Sequence, residues 1–233
     1  MVNQLGPFQS YIYSKQFNII TLTETLCDPD ISDREILPEN YTVYRNDRDS
    51  WGGGVLLAIS DTICSEQIES PTHSECLLVK LHTHKPIILC VVYVPPSPDP
   101  AYLLILLDYI RQFASWSENF VLGDFNCPDV NWAFLTAASS PSRLLCDFVL
   151  DYDMCQLVES PTHEKGNILY LLLVYYPDCV SNLTVHTDWS VFPISSRHCP
   201  LTSTLPSKAN LTNYSSSMNF QFHKGNYVLF IGC

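Results

Sequence analysis

Short, dense apolar runs recur along the chain, each cut off by proline, glycine or a polar cluster. Asn18 to Leu22, Gly53 to Ile59 and Phe120 to Gly123 have strand length and β-branched content. Cys76 to Leu81 and Pro86 to Val94 read as two strands of a hairpin turning about Thr83-His84-Lys85. The periodicity changes after Asp99-Pro100, a cap followed by a first-turn proline. Leu103, Leu106, Leu107, Ile110 and Ala114 then recur at helical spacing and predict a helix lying on a sheet. Ser140-Pro141 opens a second such helix, with Leu144, Leu145, Phe148 and Val149 inward. Tyr11 to Gln16 closes an earlier one. Gln156 to Glu159, Ile168 to Val174, Asn182 to His186 and Pro200 to Leu205 follow as short strands. From Pro206 the pattern is lost, which predicts one domain over 1–205 and a mobile tail over 206–233.

This order suits an α/β fold of two sheets with helices outside and strand ends converging on one cleft. A chain of 233 residues with 46% hydrophobic content can bury a substantial core. No apolar run has the length of a membrane span, and the first residues lack the basic and apolar regions of a signal peptide. Ten cysteines without Cys-x-x-Cys or zinc spacing read as reduced thiols, several of them in apolar elements, and predict an intracellular protein, nuclear or cytoplasmic. The formal net charge of -12, with only 12 basic residues, argues against strong nucleic-acid binding. Glu-Ser-Pro-Thr-His occurs at Glu69 to His73 and again at Glu159 to His163. The flanks differ, so no repeat architecture is expected.

Candidate chemistry gathers at strand ends. Phe120-Val121-Leu122-Gly123-Asp124-Phe125-Asn126 is an apolar strand that stops at a glycine and then offers a carboxylate and a carboxamide. Side chains two apart on a strand point the same way, so Asp124 and Asn126 would share a pocket. A carboxylate beside an amide suits Mg²⁺ or a phosphate oxygen. The same residues also suit plain turn chemistry. Glu24 ends the Asn18 strand, Tyr93 ends the strand stopped by Pro95-Pro96, and His198 precedes the last apolar run. Each read alone also fits a structural role.

In this order, Thr23-Glu24-Thr25, the segment from Tyr41 to Val55, Tyr93-Val94-Pro95-Pro96, Gly123-Asp124-Phe125-Asn126 and Leu157 to Thr162 resemble the endonuclease/exonuclease/phosphatase family. They are most similar to the apurinic-endonuclease-like domains of non-LTR retrotransposons, over about Leu5 to Leu205. The resemblance implies a four-layer α/β sandwich of two mostly antiparallel sheets. It also implies Mg²⁺-dependent hydrolysis of a DNA phosphodiester to nick a target. Glu24 would hold the metal. Asp124 and His198 would act at the attacking water or leaving oxygen. Tyr93, Asn126, Thr162 and Ser196 would lie at the substrate.

The sequence also departs from that pattern. The family's opening strand, with its asparagine, has no counterpart at Met1 to Leu5, so the first strand is expected to be missing and a neighbouring strand edge open. The family's Leu-Asp-Leu reads Leu169-Tyr170-Leu171, replacing the carboxylate that orients the histidine. Its Ser-Asp-His reads Ser196-Arg197-His198, which is expected to bring a guanidinium close enough to repel a cation or to pair with Asp124 or Glu24. The implied result is weak or lost Mg²⁺ binding, weak DNA binding and a degenerate site, impaired or inactive.

Overall fold

The computed structural model describes residues 5–27, 30–48, 52–71, 73–113, 118–187, 197–205 and 227–232. Twelve strands form two six-stranded sheets. In chain order these are β1 (Ile19–Thr23), β2 (Tyr41–Asn46), β3 (Val55–Ser60), β4 (Ser65–Ile68), β5 (Cys76–Leu81), β6 (Ile87–Tyr93), β7 (Glu118–Asp124), β8 (Cys155–Gln156), β9 (Tyr170–Val174), β10 (Ser181–Val185), β11 (Leu201–Leu205) and β12 (Tyr227–Gly232). The helices are α1 (Leu5–Lys15), α2 (Asp33–Ile36), α3 (Pro100–Ile110) and α4 (Ser140–Asp151).

The first sheet runs β10-β11-β12-β1-β3-β2 and the second β4-β5-β6-β7-β9-β8. Among the described residues, only β1 with β12 and β6 with β7 are parallel pairs. The strand faces sort cleanly. In β6, Ile87, Leu89, Val91 and Tyr93 enter the core shared by both sheets, whereas Ile88, Cys90 and Val92 join the core beneath α3 and α4. Such a strand, buried on both faces, reads as a continuous apolar run. Ile20, Leu22, Leu56 and Ala58 meet Phe8, Ile12 and Ile36 of α1 and α2 on the outer face of the first sheet. The molecule is therefore a four-layer sandwich of helix, sheet, sheet and helix.

Asp99 caps α3 by accepting from the Ala101 amide at 2.9 Å, with Pro100 in the first turn. The helix ends at Ile110, and Ala114 lies outside the described residues. Two strands carried no apolar signal, because β2 and β4 lie at sheet edges and are largely half-buried or exposed.

Of the tail expected over 206–233, residues 206–226 and 233 lie outside the described residues, whereas Tyr227–Gly232 form β12, between β1 and β11. The edge expected to be open beside β1 is therefore covered. The physical reason is that an unpaired edge leaves backbone donors and acceptors seeking partners, and Tyr227 to Gly232 supplies them.

The repeated pentapeptide also proves to be placed in a related way twice. Each copy follows an edge strand of the second sheet, β4 or β8, and precedes the antiparallel neighbour, β5 or β9. Both copies thus lie at the same end of the sheet, beside the candidate site.

Candidate active site

Three strand ends set the floor of the cleft. Tyr93 is paired with Asp124 across β6 and β7, and Asp124 with Tyr170 across β7 and β9. The three form one row, a consequence of register alone. Gly123 permits it: its φ is +137°, and a Cβ there would lie 1.9 Å from the Val92 carbonyl oxygen. From the other sheet, Glu24 follows β1 with a φ of +51°. This left-handed backbone is uncommon for a non-glycine residue. The Thr25 and Leu26 amides donate to the Gly54 and Gly53 carbonyls, which pins this turn.

The Tyr93 hydroxyl donates to Glu24 Oε1 at 2.6 Å. Burial, reinforced by that hydrogen bond and by the charges of Glu24, Asp124 and Glu75, pushes the phenol well above its ordinary range, so it stays protonated. Asp124 is 1% exposed. Its Oδ1 accepts from the Asn126 amide at 3.0 Å, and its Oδ2 lies 3.7 Å from His198 Nε2 with no hydrogen-bond partner among the described residues. Burial, with a further contribution from Glu24, pushes Asp124 up to about 7 against the lowering effect of Asn126. Burial, with His163 nearby, pushes His198 down to about 4. Close as the two are, burial disfavours both charges, so between about pH 4 and 7 the carboxyl keeps its proton and the imidazole is neutral.

Direct contacts and strand register thus bring together Glu24, Tyr93, Asp124, Asn126 and His198. Asn126 sits at φ +46°, donates a side-chain amide hydrogen to the Val94 carbonyl at 2.8 Å, and its side chain also steadies the Asp124 carboxylate.

Three expectations are corrected or fall outside. Thr162 is 0% exposed, and its hydroxyl accepts from the Leu169 and Tyr170 amides at 2.9 and 3.0 Å. It anchors the entry to β9 and does not face the substrate. Arg197 does not approach the metal position or pair with Asp124 or Glu24. It is 76% exposed and reaches Glu164 at 3.6 Å, because its peptide is tied to that loop by the Glu164 amide donating to the Arg197 carbonyl at 2.9 Å. Ser196 lies outside the described residues.

Tyr170 is where the site changes most. Its ring stacks on His198, with centroids 4.8 Å apart and an interplanar angle of 22°. Its hydroxyl lies 3.3 Å from Thr23 Oγ1 in the first sheet. A carboxylate at this position could orient the imidazole by a hydrogen bond, whereas the phenol ring supports it by its face.

Other residues enter that sequence reasoning did not single out. Glu75 accepts from the Gly54 amide and pairs with Arg48 at 3.2 Å. Burial raises its carboxyl in spite of both partners. It lines a groove of about 600 Å³ with Asn46, Arg48, His73 and Tyr102. His163 meets His198 edge to face at 4.8 Å. The repeated pentapeptide was a sequence signal for His163, which meets His198, and for His73, which lines the groove beside Glu75, but Glu75 itself had none.

Glu24 and Asp124 are the two carboxylates that meet here, and no group of three or more acidic, histidine or cysteine side chains placed to hold a metal ion occurs among the described residues. Two carboxylates are within what magnesium uses when substrate phosphate and water complete its shell.

The architecture is that of the endonuclease/exonuclease/phosphatase fold, shared with solved structures at low sequence identity. One is the endonuclease domain of TRAS1, a telomere-specific non-LTR retrotransposon, with a TM-score of 0.66, 14% identity and coverage of 84% of this chain and 88% of that one. A second is an AP endonuclease from Archaeoglobus fulgidus, with a TM-score of 0.60, 15% identity and coverage of 86% and 93%. A third is the 3′ phosphatase NExo from Neisseria bound to a product DNA hairpin, with a TM-score of 0.60, 12% identity and coverage of 87% and 94%. No family model matches the sequence, and no curated protein matches it.

Proposed function

We propose that this cleft is a retrotransposon-type endonuclease site that hydrolyses a DNA phosphodiester with a divalent cation, at a rate reduced by Tyr170. The observation that supports it is the convergence of Glu24, Tyr93, Asp124, Asn126 and His198 from separate strand ends on one cleft. Glu24 would hold Mg²⁺, with its carboxylate fixed by the Tyr93 hydroxyl. A bound cation supplies polarisation of a phosphate oxygen and neutralises developing charge. Asp124, ionised when a cation is near, accepts a proton from the attacking water. His198 and the Asn126 side chain would meet phosphate oxygens.

A second reading, a remnant that no longer cleaves, is favoured by the Tyr170 ring on the face of His198. Nicking of supercoiled plasmid separates the two. The hydrolytic reading expects slow nicking that needs Mg²⁺, stops with chelator, and falls at least about tenfold in Glu24→Gln and His198→Ala, in line with loss of one member of a catalytic unit. Absence of nicking by the folded parent supports the remnant.

A further inference from the structure

We infer that the C-terminal strand β12 is the positioning element that joins the two halves of the candidate site. Among the described residues, β12 is the sole strand that links β10-β11 to β1-β3-β2 within the first sheet. Glu24 follows β1 directly, and His198 stands just ahead of β11. The segment pairs with both neighbours over their lengths. Ile19, Ile20, Thr21 and Leu22 face Leu229, Phe230, Ile231 and Gly232 in parallel, and Leu201 to Leu205 face Ile231 to Tyr227 in antiparallel register.

Two consequences follow from backbone chemistry. A strand with neighbours on both sides commits its amides and carbonyls to two ladders, and removing it leaves two open edges in place of none. The β10-β11 hairpin would then keep its apolar face, Leu201 and Leu205 with Leu183 and Val185, in the core shared with the second sheet, together with the isolated bridge between His163 and His198 and the Cys199 amide, which donates to the Thr162 carbonyl at 2.7 Å, but would lose the only backbone ladder that ties it to the rest of its own sheet among the described residues. The slot between β1 and β11 is therefore a strand acceptor, and residues 227–232 of this same chain are its occupant. This inference concerns how the site is assembled and holds whether or not the site cleaves DNA.

Hydrogen exchange on the full chain tests it. The unmodified protein should protect the amides of residues 228–231 together with those of β1 and β11 that face them. Phe230→Pro removes one central donor and places a proline where sheets reject it. It should raise exchange at least about tenfold in β11 and along the β12-facing side of β1, while β5 and β6 stay protected. A synthetic peptide of residues 226–233, added to the variant, should restore that protection; if the variant fails to fold, the same peptide should rescue refolding. Free exchange at 228–231 in the unmodified protein, or unchanged protection in Phe230→Pro, would overturn the inference. A dimer in the unmodified protein that Phe230→Pro dissolves would overturn it as well, because the occupant would then come from a second copy.

Discussion

Asp124 and His198 carry opposed linkages to pH. The Asp124 carboxyl is raised to about 7 in the folded protein from 3.8, so between those values the folded state holds a proton that the unfolded state has lost. Stability from this group therefore falls as pH rises from about 4 to 7. His198 is lowered to about 4 from 6.5, so in that range the unfolded state holds the extra proton, and stability falls as pH drops. The two slopes cancel between about pH 4 and 6.5 in metal-free buffer. His198→Asn should unmask the first, a decline with rising pH of up to roughly 1.4 kcal/mol per pH unit, and Asp124→Asn the reverse. Urea unfolding from pH 4 to 7 with chelator checks both, and equal slopes in the two variants would refute the opposed shifts of Asp124 and His198. Tyr170 allows a second prediction. Its ring is fully buried in the core between the sheets. Tyr170→Phe should therefore cost about 1 kcal/mol, whereas Tyr170→Ala should cost roughly 3–5 kcal/mol, measured by the same unfolding. The residues at this cleft were legible because strand ends announce themselves by an apolar run followed by a polar side chain. The direction of Arg197 was not, because one backbone bond to the Glu164 loop decides it.

At the scale of elements, the row of Tyr93, Asp124 and Tyr170 depends on β6 and β7 approaching closely at Val92 and Gly123. A Cβ at Gly123 would meet the Val92 carbonyl, which is backbone and cannot rotate away. Gly123→Ala should thus destabilise by at least about 3 kcal/mol, through strain in both backbone and packing. A shift in the urea midpoint corresponding to less than about 1 kcal/mol would show that β7 adjusts freely. Strands such as β6 were legible because every residue is apolar, and α3 because Asp99-Pro100 precedes a helical period. Edge strands β2 and β4 have no such signature, since half of each faces water or lies near it. β12 carries the same apolar signal, Tyr227 to Ile231 followed by a glycine, and was passed over because a long polar stretch separates it from the rest of the domain. What local pattern does not give is its partner, since β1 lies nearly the whole chain distant.

At the scale of the molecule, charge limits what the cleft can hold. The net charge is -12, and the cations close to the site among the described residues are Arg48, Lys165 and Arg197. Arg48 is paired with Glu75 and Arg197 with Glu164, so both would have to release a carboxylate to meet phosphate. Counterion release gives a slope of about -0.9 in log affinity against log salt for each phosphate neutralised, so three contacts set a ceiling near -3. DNA binding should accordingly be weak, with dissociation constants no tighter than about 10⁻⁵ M near physiological salt, within the nonspecific range. Divalent cation should strengthen it, because a metal held by Glu24 offsets the acid lining the cleft. Arg48→Glu should weaken binding and reduce the slope by roughly 1, whereas Arg111→Glu, paired with Asp108 on the outer helix, should alter neither greatly. Fluorescence anisotropy of a labelled duplex across a salt series, with and without Mg²⁺, measures all of these. A slope steeper than about -5 would mean a basic surface beyond these three residues. Equal effects of Arg48→Glu and Arg111→Glu would remove the groove beside Glu75 from the path of the DNA.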